Sequence, residues 1–423
     1  MQVSVPKWGS GSLACRDPPN GGMVREAAPA WLPTVMLKSI EFVQYKSKPL
    51  EWRIEGFTLQ PINLVVGRNA SGKSKALGLI QELAEMVSGR GQPSDKSGTY
   101  VARFLNGKIE STYELQIEDA RVVREELTID GEKKLTRGAR GAGKIYFNQL
   151  GKAVDFQSPE STLTCWSRRD SIQHPYLEEL YGWGKTALAY SFNSDALGKG
   201  TLALIPEPMP EDSAFHEAFQ EQGVLRSMWA VTTDAFDGEL RASIVRDMNR
   251  LGYSLTSVDA KRSIVRSDPA RKGNLVSLCV TESGLGEPID QFDMSDGMFR
   301  ALSILIQVTY AAMSSKPSLV LIDDIGEGLD YERSCVLIKL LIEKAKASGI
   351  QLIMTTNDRF VMNNVPLEHW SVLVRKPAER GTVVKVYNYE NSKKSFDEFA
   401  YTGLNNFDFF ATSFFEEGLQ GNE

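Results

Sequence analysis

The stretch INLVVGRNASGKSKALGLIQELAEMV, residues 62–87, most constrains how this chain folds. Residues 62–66 are short, apolar and β-branched, which is typical of a buried strand, and residues 75–87 carry apolar side chains at helical spacing. A strand, a glycine loop ending in Gly-Lys-Ser, and a helix form the context that a P-loop requires. The alternative is a glycine-rich turn before an ordinary helix, and the flanking strand and helix argue against it.

The residue types of this loop fit a bound phosphate chain. Gly67 and Gly72 let the backbone approach phosphate oxygens closely, and successive N–H groups at a helix start attract anions. Lys73 would add a charge on the β- and γ-phosphates, and the Ser74 hydroxyl would bind Mg²⁺. We therefore expect ATP and Mg²⁺ as ligands. The predicted nucleotide-binding residues here are Gly67, Arg68, Asn69, Ala70, Ser71, Gly72, Lys73 and Ser74.

A second stretch, SLVLIDDIGEGLD at 318–330, reads as a buried strand that runs into Asp323 and Asp324. Buried paired carboxylates are costly without a cation, and the Mg²⁺ of a P-loop site would supply one. We expect Asp323 to support the metal and Asp324 to orient or deprotonate the attacking water. The alternative is a helix cap or ordinary salt bridges. Lys73 and Asp323 are 250 residues apart (323 − 73), so two lobes must meet on one sheet.

Further signals flank the aspartates. Ser295 and Gly297 stand at the start of a strongly apolar helical pattern, where a Ser-x-Gly turn offers either an anion site or a plain N-cap. After the aspartates, a helix is predicted to end at Gly349, and residues 350–358, IQLIMTTND, read as a buried strand with a polar end.

The order GRNASGKS, MSDGMFRAL, LVLIDDIGEGLD, LIMTTND resembles the ABC-type ATPases of the SMC/RecF branch. It is most similar to AAA-type ATPases of bacterial anti-phage defence that are like the overcoming-lysogenization-defect proteins. The resemblance covers about residues 36–90 and 286–370. It implies an α/β fold: an ABC-type P-loop NTPase head of two lobes, with an inserted β-hairpin and helical lid or arm. It also implies a homodimer or higher oligomer that sandwiches two ATP molecules between subunits.

The resemblance also implies roles for single residues. Ser295 and Gly297 would touch the γ-phosphate of the partner's ATP, and Asp330 would match the loop that communicates across the dimer. Lys73 and Asp324 would be the catalytic residues. Two positions depart from the family: Asp324 stands where Glu is usual, and Asn357 stands where His is usual. A carboxylate about 1 Å short of its water can cost about 100-fold in rate, and Asn357 can bind phosphate but cannot take a proton at neutral pH. We therefore expect a slow, switch-like ATPase.

The chain is predicted to divide into four parts. Residues 1–35 form a disordered extension or precede a truer start at Met36, 36–150 form an N-lobe, 151–285 a mainly helical insert, and 286–423 a C-lobe with an aromatic tail. Within them, residues 111–134 alternate like β-hairpins with an Asp-Gly turn, and residues 211–236 and 239–252 read as helices.

Three segments carry predictions about partners. The stretches 133–144 and 261–272 hold five basic residues each, so either is a nucleic-acid contact or a solvated mobile loop. The stretch 396–415 holds eight aromatic residues, which either dock a partner or pack on the molecule's own sheet.

Composition limits the remaining classes. The net charge of −6 gives no general field for nucleic acid, and the sequence has no run long enough for a membrane span. Four widely spaced cysteines indicate reduced thiols rather than a disulfide framework or zinc site, and three scattered histidines argue against a histidine-rich metal nuclease. We expect a cytoplasmic protein.

Three functions stay open from the sequence. The favoured one is an ATP-dependent sensor or switch that controls a separate effector protein in anti-phage defence. The others are a DNA repair or maintenance ATPase similar to RecF, and an ATP-locked scaffold with negligible hydrolysis.

Overall fold

A computed structural model describes residues 35–191, 238–262, 274–314 and 319–417, together with residues 199, 203–205, 231 and 236. The predicted extension 1–35 lies outside this range except for its last residue, and so does nearly all of the predicted helix 211–236.

Most strands of the described chain belong to one large mixed sheet, and a smaller sheet holds β11 to β14. The strands are β1 (Met36–Gln44), β2 (Glu51–Thr58), β3 (Ile62–Val66), β4 (Gly98–Asn106), β5 (Ile109–Glu118), β6 (Arg121–Ile129), β7 (Glu132–Arg137), β8 (Ala142–Phe147), β9 (Lys152–Gln157), β10 (Leu188–Ser191), β11 (Ala203–Ile205), β12 (Leu255–Arg262), β13 (Asn274–Glu282), β14 (Ile289–Asp290), β15 (Leu319–Asp323), β16 (Gln351–Thr356), β17 (Trp370–Ala378) and β18 (Gly381–Asn388).

The helices flank the large sheet and fill the connections between its strands. They are α1 (Lys73–Val87), α2 (Thr164–Ser167), α3 (Pro175–Thr186), α4 (Glu239–Arg250), α5 (Asp296–Met313), α6 (Tyr331–Ser348), α7 (Arg359–Asn364), α8 (Lys393–Ala400), α9 (Asn406–Ala411) and α10 (Phe414–Glu417).

The large sheet has a parallel part and an antiparallel part. Its strand order is β10-β15-β16-β3-β17-β18-β2-β1-β4-β5-β6-β7-β8-β9. The strands from β10 to β17 in this order pair in parallel, whereas β1 and β4 to β9 form an antiparallel arm. Because β3 and β15 are parallel to the single strand between them, their carboxyl ends share one edge. This confirms that the two lobes meet on one sheet.

The unbroken apolar run of β3 follows from burial on both faces of the sheet. Leu64 and Val66 pack into a cluster with α5, α6 and the C-terminal helices, whereas Val65 packs into a second cluster with α1, α3 and the arm. A parallel strand covered on both sides has no polar face, which explains why its sequence does not alternate. The predicted strand and the helix after it are confirmed.

The predicted hairpins are confirmed as β5, β6 and β7. The turn between β6 and β7 places Asp130 at φ 46° and Gly131 at φ 82°. Positive φ at both central residues matches the twist of a two-residue hairpin, and Asp-Gly tolerates it well.

The predicted insert, residues 151–285, is not mainly helical where it is described. It holds β9 to β13 as well as α2, α3 and α4, and β10 pairs with β15 inside the large sheet. The helix expected at 239–252 is confirmed as α4. The strands were missed because short apolar runs do not distinguish strand from helix.

The basic stretch 133–144 is not a loop. It forms β7, a short 3₁₀ turn at Ala139–Gly141, and β8, and its Arg137 is 2% exposed and paired with Glu125. The prediction of a solvated mobile loop is therefore wrong, because the sequence does not show that an acid on β6 neutralises Arg137, whereas the prediction of a nucleic-acid contact stays a prediction. Of the other basic stretch, only residues 261 and 262 are described, at the end of β12.

The aromatic tail packs on its own molecule. It folds into α8, α9 and α10, and its rings cluster beside Trp370 of β17. The buried ones are Phe396, Phe399, Phe409, Phe414 and Phe415. Of the two readings left open by the sequence, self-packing fits these residues, and Tyr401 is exposed.

The described cysteines Cys165, Cys279 and Cys335 are free and buried. Within the described ranges, no helix combines the length and apolar character required to cross a membrane.

Candidate functional site

The phosphate loop connects the buried strand β3 to the first residue of α1. Gly72 has φ +107°, a conformation that side chains with a Cβ rarely adopt, and Ala70 has φ 61°. This backbone path turns the chain back so that α1 starts at Lys73 with no side-chain cap on its N-terminus. The free N–H groups of the first turn are therefore available to an anion.

Lys73 is the central cation of the site. It is only 6% exposed, and its Nζ donates to Oδ1 of Asn357 at 2.7 Å and to the carbonyl oxygen of Gly67 at 2.9 Å. Burial lowers the pKa of the Lys73 ammonium, while the carboxylates of Asp324 and Asp323 oppose that shift. The side chain is thus held beside the loop before any ligand binds.

The aspartate pair lies at the carboxyl end of β15, and Thr355 of β16 holds both residues. The Thr355 hydroxyl donates to Oδ1 of Asp323 at 2.6 Å and accepts from the backbone N–H of Asp324 at 2.8 Å. Asp324 has φ 52°, which turns its side chain out of the strand. Burial raises the pKa of the Asp324 carboxyl and Asp323 adds to the effect, whereas Lys73 opposes it.

These residues fit a divalent cation that arrives with a phosphate chain. Across the described residues, no group of three or more His, Cys, Asp or Glu side chains could hold a metal alone. A hard cation such as Mg²⁺ accepts oxygen ligands from one or two side chains and completes its shell with phosphate and water. Asp323 and the exposed Ser74 hydroxyl offer such oxygens, and a divalent cation there would offset the charge crowding that raises the pKa of Asp324.

Ser295 caps α5, as the plainer of the two sequence interpretations predicts. Its Oγ accepts from the backbone N–H of Met298 at 3.2 Å, yet the residue is exposed. Gly297 packs against the backbone carbonyl of Gly328, so a Cβ there would collide with the chain. The start of α5 is therefore fixed against the loop that follows the aspartates.

Asp330 and Glu327 make local contacts. Asp330 caps α6 by accepting from the backbone N–H of Arg333 at 2.9 Å, and its carboxylate pairs with that arginine's guanidinium at 2.7 Å. Glu327 lies 3.6 Å from Arg300, and it is the weakest of the influences that raise the pKa of Asp324.

The structure thus brings together Lys73, Asp323, Asp324 and Asn357, which sequence reasoning had assigned to one site. Ser295 and Asp330 stand at the starts of α5 and α6 and contact their own helices. Sequence reasoning missed Thr355, although the polar end of the strand LIMTTND contained the signal.

A second missed group supports the helix side of the loop. Lys75 lies 3.8 Å above the ring of Trp52 and donates to Oε1 of Gln44 at 2.7 Å. Burial, Lys96 and Arg375 lower the pKa of Lys75 to about 8. These contacts join β1 and β2 to the first turn of α1, and no short motif in the sequence indicates them.

Comparison with known families places the whole site in one unit. Residues 62–363 match the family described as "AAA domain, putative AbiEii toxin, Type IV TA system". This is well over half of the chain. The chain belongs to this AAA family. The matched region begins at the first residue of β3 and ends in α7, so it contains the phosphate loop, the aspartate pair and Asn357.

Solved structures similar to this AAA-family chain include heads of SMC proteins. A Smc head bound to the C-terminal winged-helix domain of ScpA has a TM-score of 0.49 at 11% identity, covering 85% of this chain and 99% of that one. A Pyrococcus furiosus Smc head with an extended coiled coil, bound to the C-terminal domain of ScpA, gives 0.45 at 12% identity, covering 86% and 100%. The Thermotoga maritima SMC head gives 0.38 at 13%, covering 82% and 98%. A comparison with curated protein sequences found no match.

Proposed function

We propose that this chain is an ATPase that binds ATP with Mg²⁺ at the phosphate loop and hydrolyses it slowly. The observation that carries the proposal is the convergence of Lys73 with Asp323, Asp324 and Asn357 at one edge of the sheet. A buried ammonium beside two carboxylates and a set of free helix N–H groups matches the charge pattern of a nucleotide–magnesium complex. Membership of the AAA family supports the same activity.

Each residue has a distinct task in this proposal. The backbone of Gly67 to Gly72 cradles the phosphates, Lys73 neutralises their charge, and Ser74 and Asp323 hold Mg²⁺, which would stabilise negative charge on the phosphate oxygens. Asp324 orients the attacking water and accepts its proton, because its raised pKa suits a base better than an ordinary aspartate does.

Slow hydrolysis follows from the same contacts. Asp324 is one methylene shorter than glutamate, and Asn357 uses its carbonyl oxygen on Lys73. An amide cannot carry a proton in either direction at neutral pH. These contacts therefore favour tight ATP binding with slow hydrolysis, and a protein that keeps its ATP bound for long can act as a switch.

The wider role in our proposal is an ATP-dependent sensor or switch in bacterial anti-phage defence that acts on a separate effector. ATP would join two copies, with Ser295, Gly297 and Asp330 of one copy facing the nucleotide of the other. The family description names a toxin of a toxin–antitoxin system, which supports a defence role. The exposed position of Ser295 leaves the start of α5 accessible to a second molecule.

Nucleotide binding by a Lys73→Ala variant tests the proposal. Removing the ammonium should abolish measurable ATP affinity by calorimetry while the melting temperature stays close to that of the parent. Lys394→Ala, which removes an exposed lysine on α8, is the matched control and should bind as the parent does. Unchanged ATP affinity in Lys73→Ala would refute the P-loop assignment.

A further inference from the structure

A cavity of about 440 Å³ lies beside the phosphate loop. Its walls come from loop residues 68–71, from residues 373–375 of β17 and from the C-terminal helices. In the sheet, β17 adjoins one side of β3, whereas β16 and then β15 with Asp323 follow on the other side. The cavity therefore shares the loop with the aspartate cluster but opens on the opposite side of it.

One wall of the cavity is the loop itself, which includes Ser71. The Ser71 side chain is buried, and its Oγ is enclosed within the loop beside Gly67, where an added Cβ on that glycine would collide with it. The closely packed loop backbone is therefore a fixed side of the cavity.

The opposite wall is aromatic. The rings of Phe410 and Phe415 stack with centroids 6.4 Å apart and an interplanar angle of 16°. Arg68 and Arg375 add two guanidinium groups to the lining. Aromatic rings with arginines beside them suit a planar heterocycle that is attached to a polyanion.

We propose that the nucleoside half of the bound nucleotide lies in this cavity, with its base against the Phe410 ring. This inference rests on the proposed function. The magnesium end of the triphosphate is placed at Ser74 and Asp323, so the nucleoside leaves the loop on the side away from Asp323. Cavities of about 300–1,000 Å³ are the usual size for such ligands. The tail that the sequence sets apart is then a wall of the nucleotide site.

Calorimetry with two probes, ATP and inorganic tripolyphosphate, tests the placement in the full chain. In Phe410→Ala the ATP affinity should fall about tenfold or more, the usual worth of one base–aromatic stack, and tripolyphosphate affinity should not change. Tyr401→Ala is the control, because Tyr401 is an aromatic residue of the same tail that is 90% exposed and does not line the cavity. It should bind both probes as the parent does.

Three results would overturn the inference. They are unchanged ATP affinity in Phe410→Ala, an equal loss for tripolyphosphate, and equal affinity of the parent for both probes. Parent protein that binds tripolyphosphate and ATP equally well leaves the proposed ATP site intact and removes only the base pocket. Parent protein that binds neither probe refutes both.

A measurement without a variant keeps the test independent of folding defects. Photo-crosslinking of the parent with 8-azido-ATP, followed by peptide mapping, should label residues 405–417 or 373–375, and excess ATP should suppress the labelling. Labelling confined to other peptides would place the base elsewhere.

Discussion

Asp324 combines an unusual backbone conformation with an unfavourable charge. Its φ of 52° is rare for side chains other than Asn, Asp and Gly, and burial together with Asp323 raises the pKa of its carboxyl. Charge crowding of this kind collects at functional sites. The conformation also explains why a shorter side chain suits this position, since glutamate tolerates positive φ less well than aspartate does.

Asp324→Asn should separate stability from activity. Asparagine accepts the same φ and removes the crowded charge, so ATP hydrolysis should fall about 100-fold or more while ATP and Mg²⁺ still bind. The ligand-free variant should melt at a higher temperature than the parent at pH 7. If Asp324→Asn hydrolysed ATP at the rate of the parent, Asp324 would have only a structural role. Asp324→Glu serves as the control that retains the negative charge.

The higher stability expected of ligand-free Asp324→Asn, relative to the parent, should shrink as the pH falls. Because the pKa of Asp324 is raised in the folded state, the folded protein binds this proton more tightly than the unfolded chain does. The charged Asp324 carboxylate therefore destabilises the folded protein above the raised pKa. This destabilisation disappears as pH falls through that pKa. The melting-temperature gap between Asp324→Asn and the parent, both without ligands, should narrow between neutral and acidic pH. A constant gap would contradict this origin.

At the residue scale, the sequence predicts identities better than contacts. The spacing of Lys73 within GRNASGKS and the carboxylates at the end of an apolar run were enough to predict that Lys73 and Asp323 share a site, and the family resemblance added Asn357. The polar end of LIMTTND signals that Thr355 lies near the site, but its hydrogen bonds to both aspartates were not predictable, because they depend on β15, which a distant part of the chain supplies.

At the scale of elements, α5 begins with a residue that has two assigned roles. Ser295 caps the helix here, and the proposed function places it against a partner's nucleotide. The two roles require different chemistry, because a cap needs only an acceptor, whereas a phosphate neighbour excludes negative charge.

Two substitutions at Ser295 separate these roles. Ser295→Asp keeps the cap acceptor and adds a negative charge, so its stability should match that of the parent while ATP-dependent association and turnover are lost. Ser295→Ala should cost about 1 kcal/mol of stability through the lost cap, with activity largely kept. Denaturant unfolding and ATPase assays measure both, and normal association of Ser295→Asp would leave the residue as a helix cap only.

The arm of antiparallel strands is fastened by a buried ion pair. Arg137 of β7 lies 3.3 Å from Glu125 of β6 and donates to the carbonyl oxygens of Thr162 and Pro159 at 2.7 Å and 2.6 Å. Glu125 in turn accepts from the backbone N–H groups at 164 and 165. The connection before α3 is thereby fixed to the arm.

Arg137→Met should destabilise the protein by about 3–5 kcal/mol, because it leaves the Glu125 carboxylate buried without its partner. Lys144→Met removes a cation of the same basic stretch whose side chain is 67% exposed, and it should change stability by less than about 0.5 kcal/mol. Denaturant unfolding of both variants measures the difference. Equal losses of stability in Arg137→Met and Lys144→Met would mean that the buried ion pair stabilises the protein no more than the exposed lysine does.

Elements with strong periodicity were predictable, and elements defined by pairing were not. The helices α1, α5 and α6 have continuous apolar faces in sequence, and the Asp-Gly turn identifies the hairpin. The strands of the predicted insert lacked such signals, since β10 has only four residues and takes its place in the sheet from β15. The loop prediction for residues 133–144 was wrong because only the fold reveals that Glu125 neutralises Arg137.

At the scale of the whole molecule, the groups that the proposed function turns toward a second copy lie at one edge of the sheet. The starts of α5 and α6 are exposed there, and Tyr331, directly after Asp330, forms an exposed ring pair with Phe360 at 4.8 Å. Exposed aromatic rings beside polar groups are typical of residues that anchor an interface. An interface at this edge would enclose the nucleotide between two molecules.

The oligomeric state should therefore follow the nucleotide. Asp324→Asn with ATP and Mg²⁺ should accumulate as a dimer or higher oligomer, because the nucleotide that joins the copies is no longer hydrolysed. Lys73→Ala should stay at the size of the ligand-free parent, since it binds no ATP, and the parent with ADP should do the same. Light scattering coupled to gel filtration measures all three. If Asp324→Asn kept the size of the ligand-free parent at saturating ATP, the nucleotide would act within a single copy, and Ser295 and Asp330 would be caps of their own helices alone.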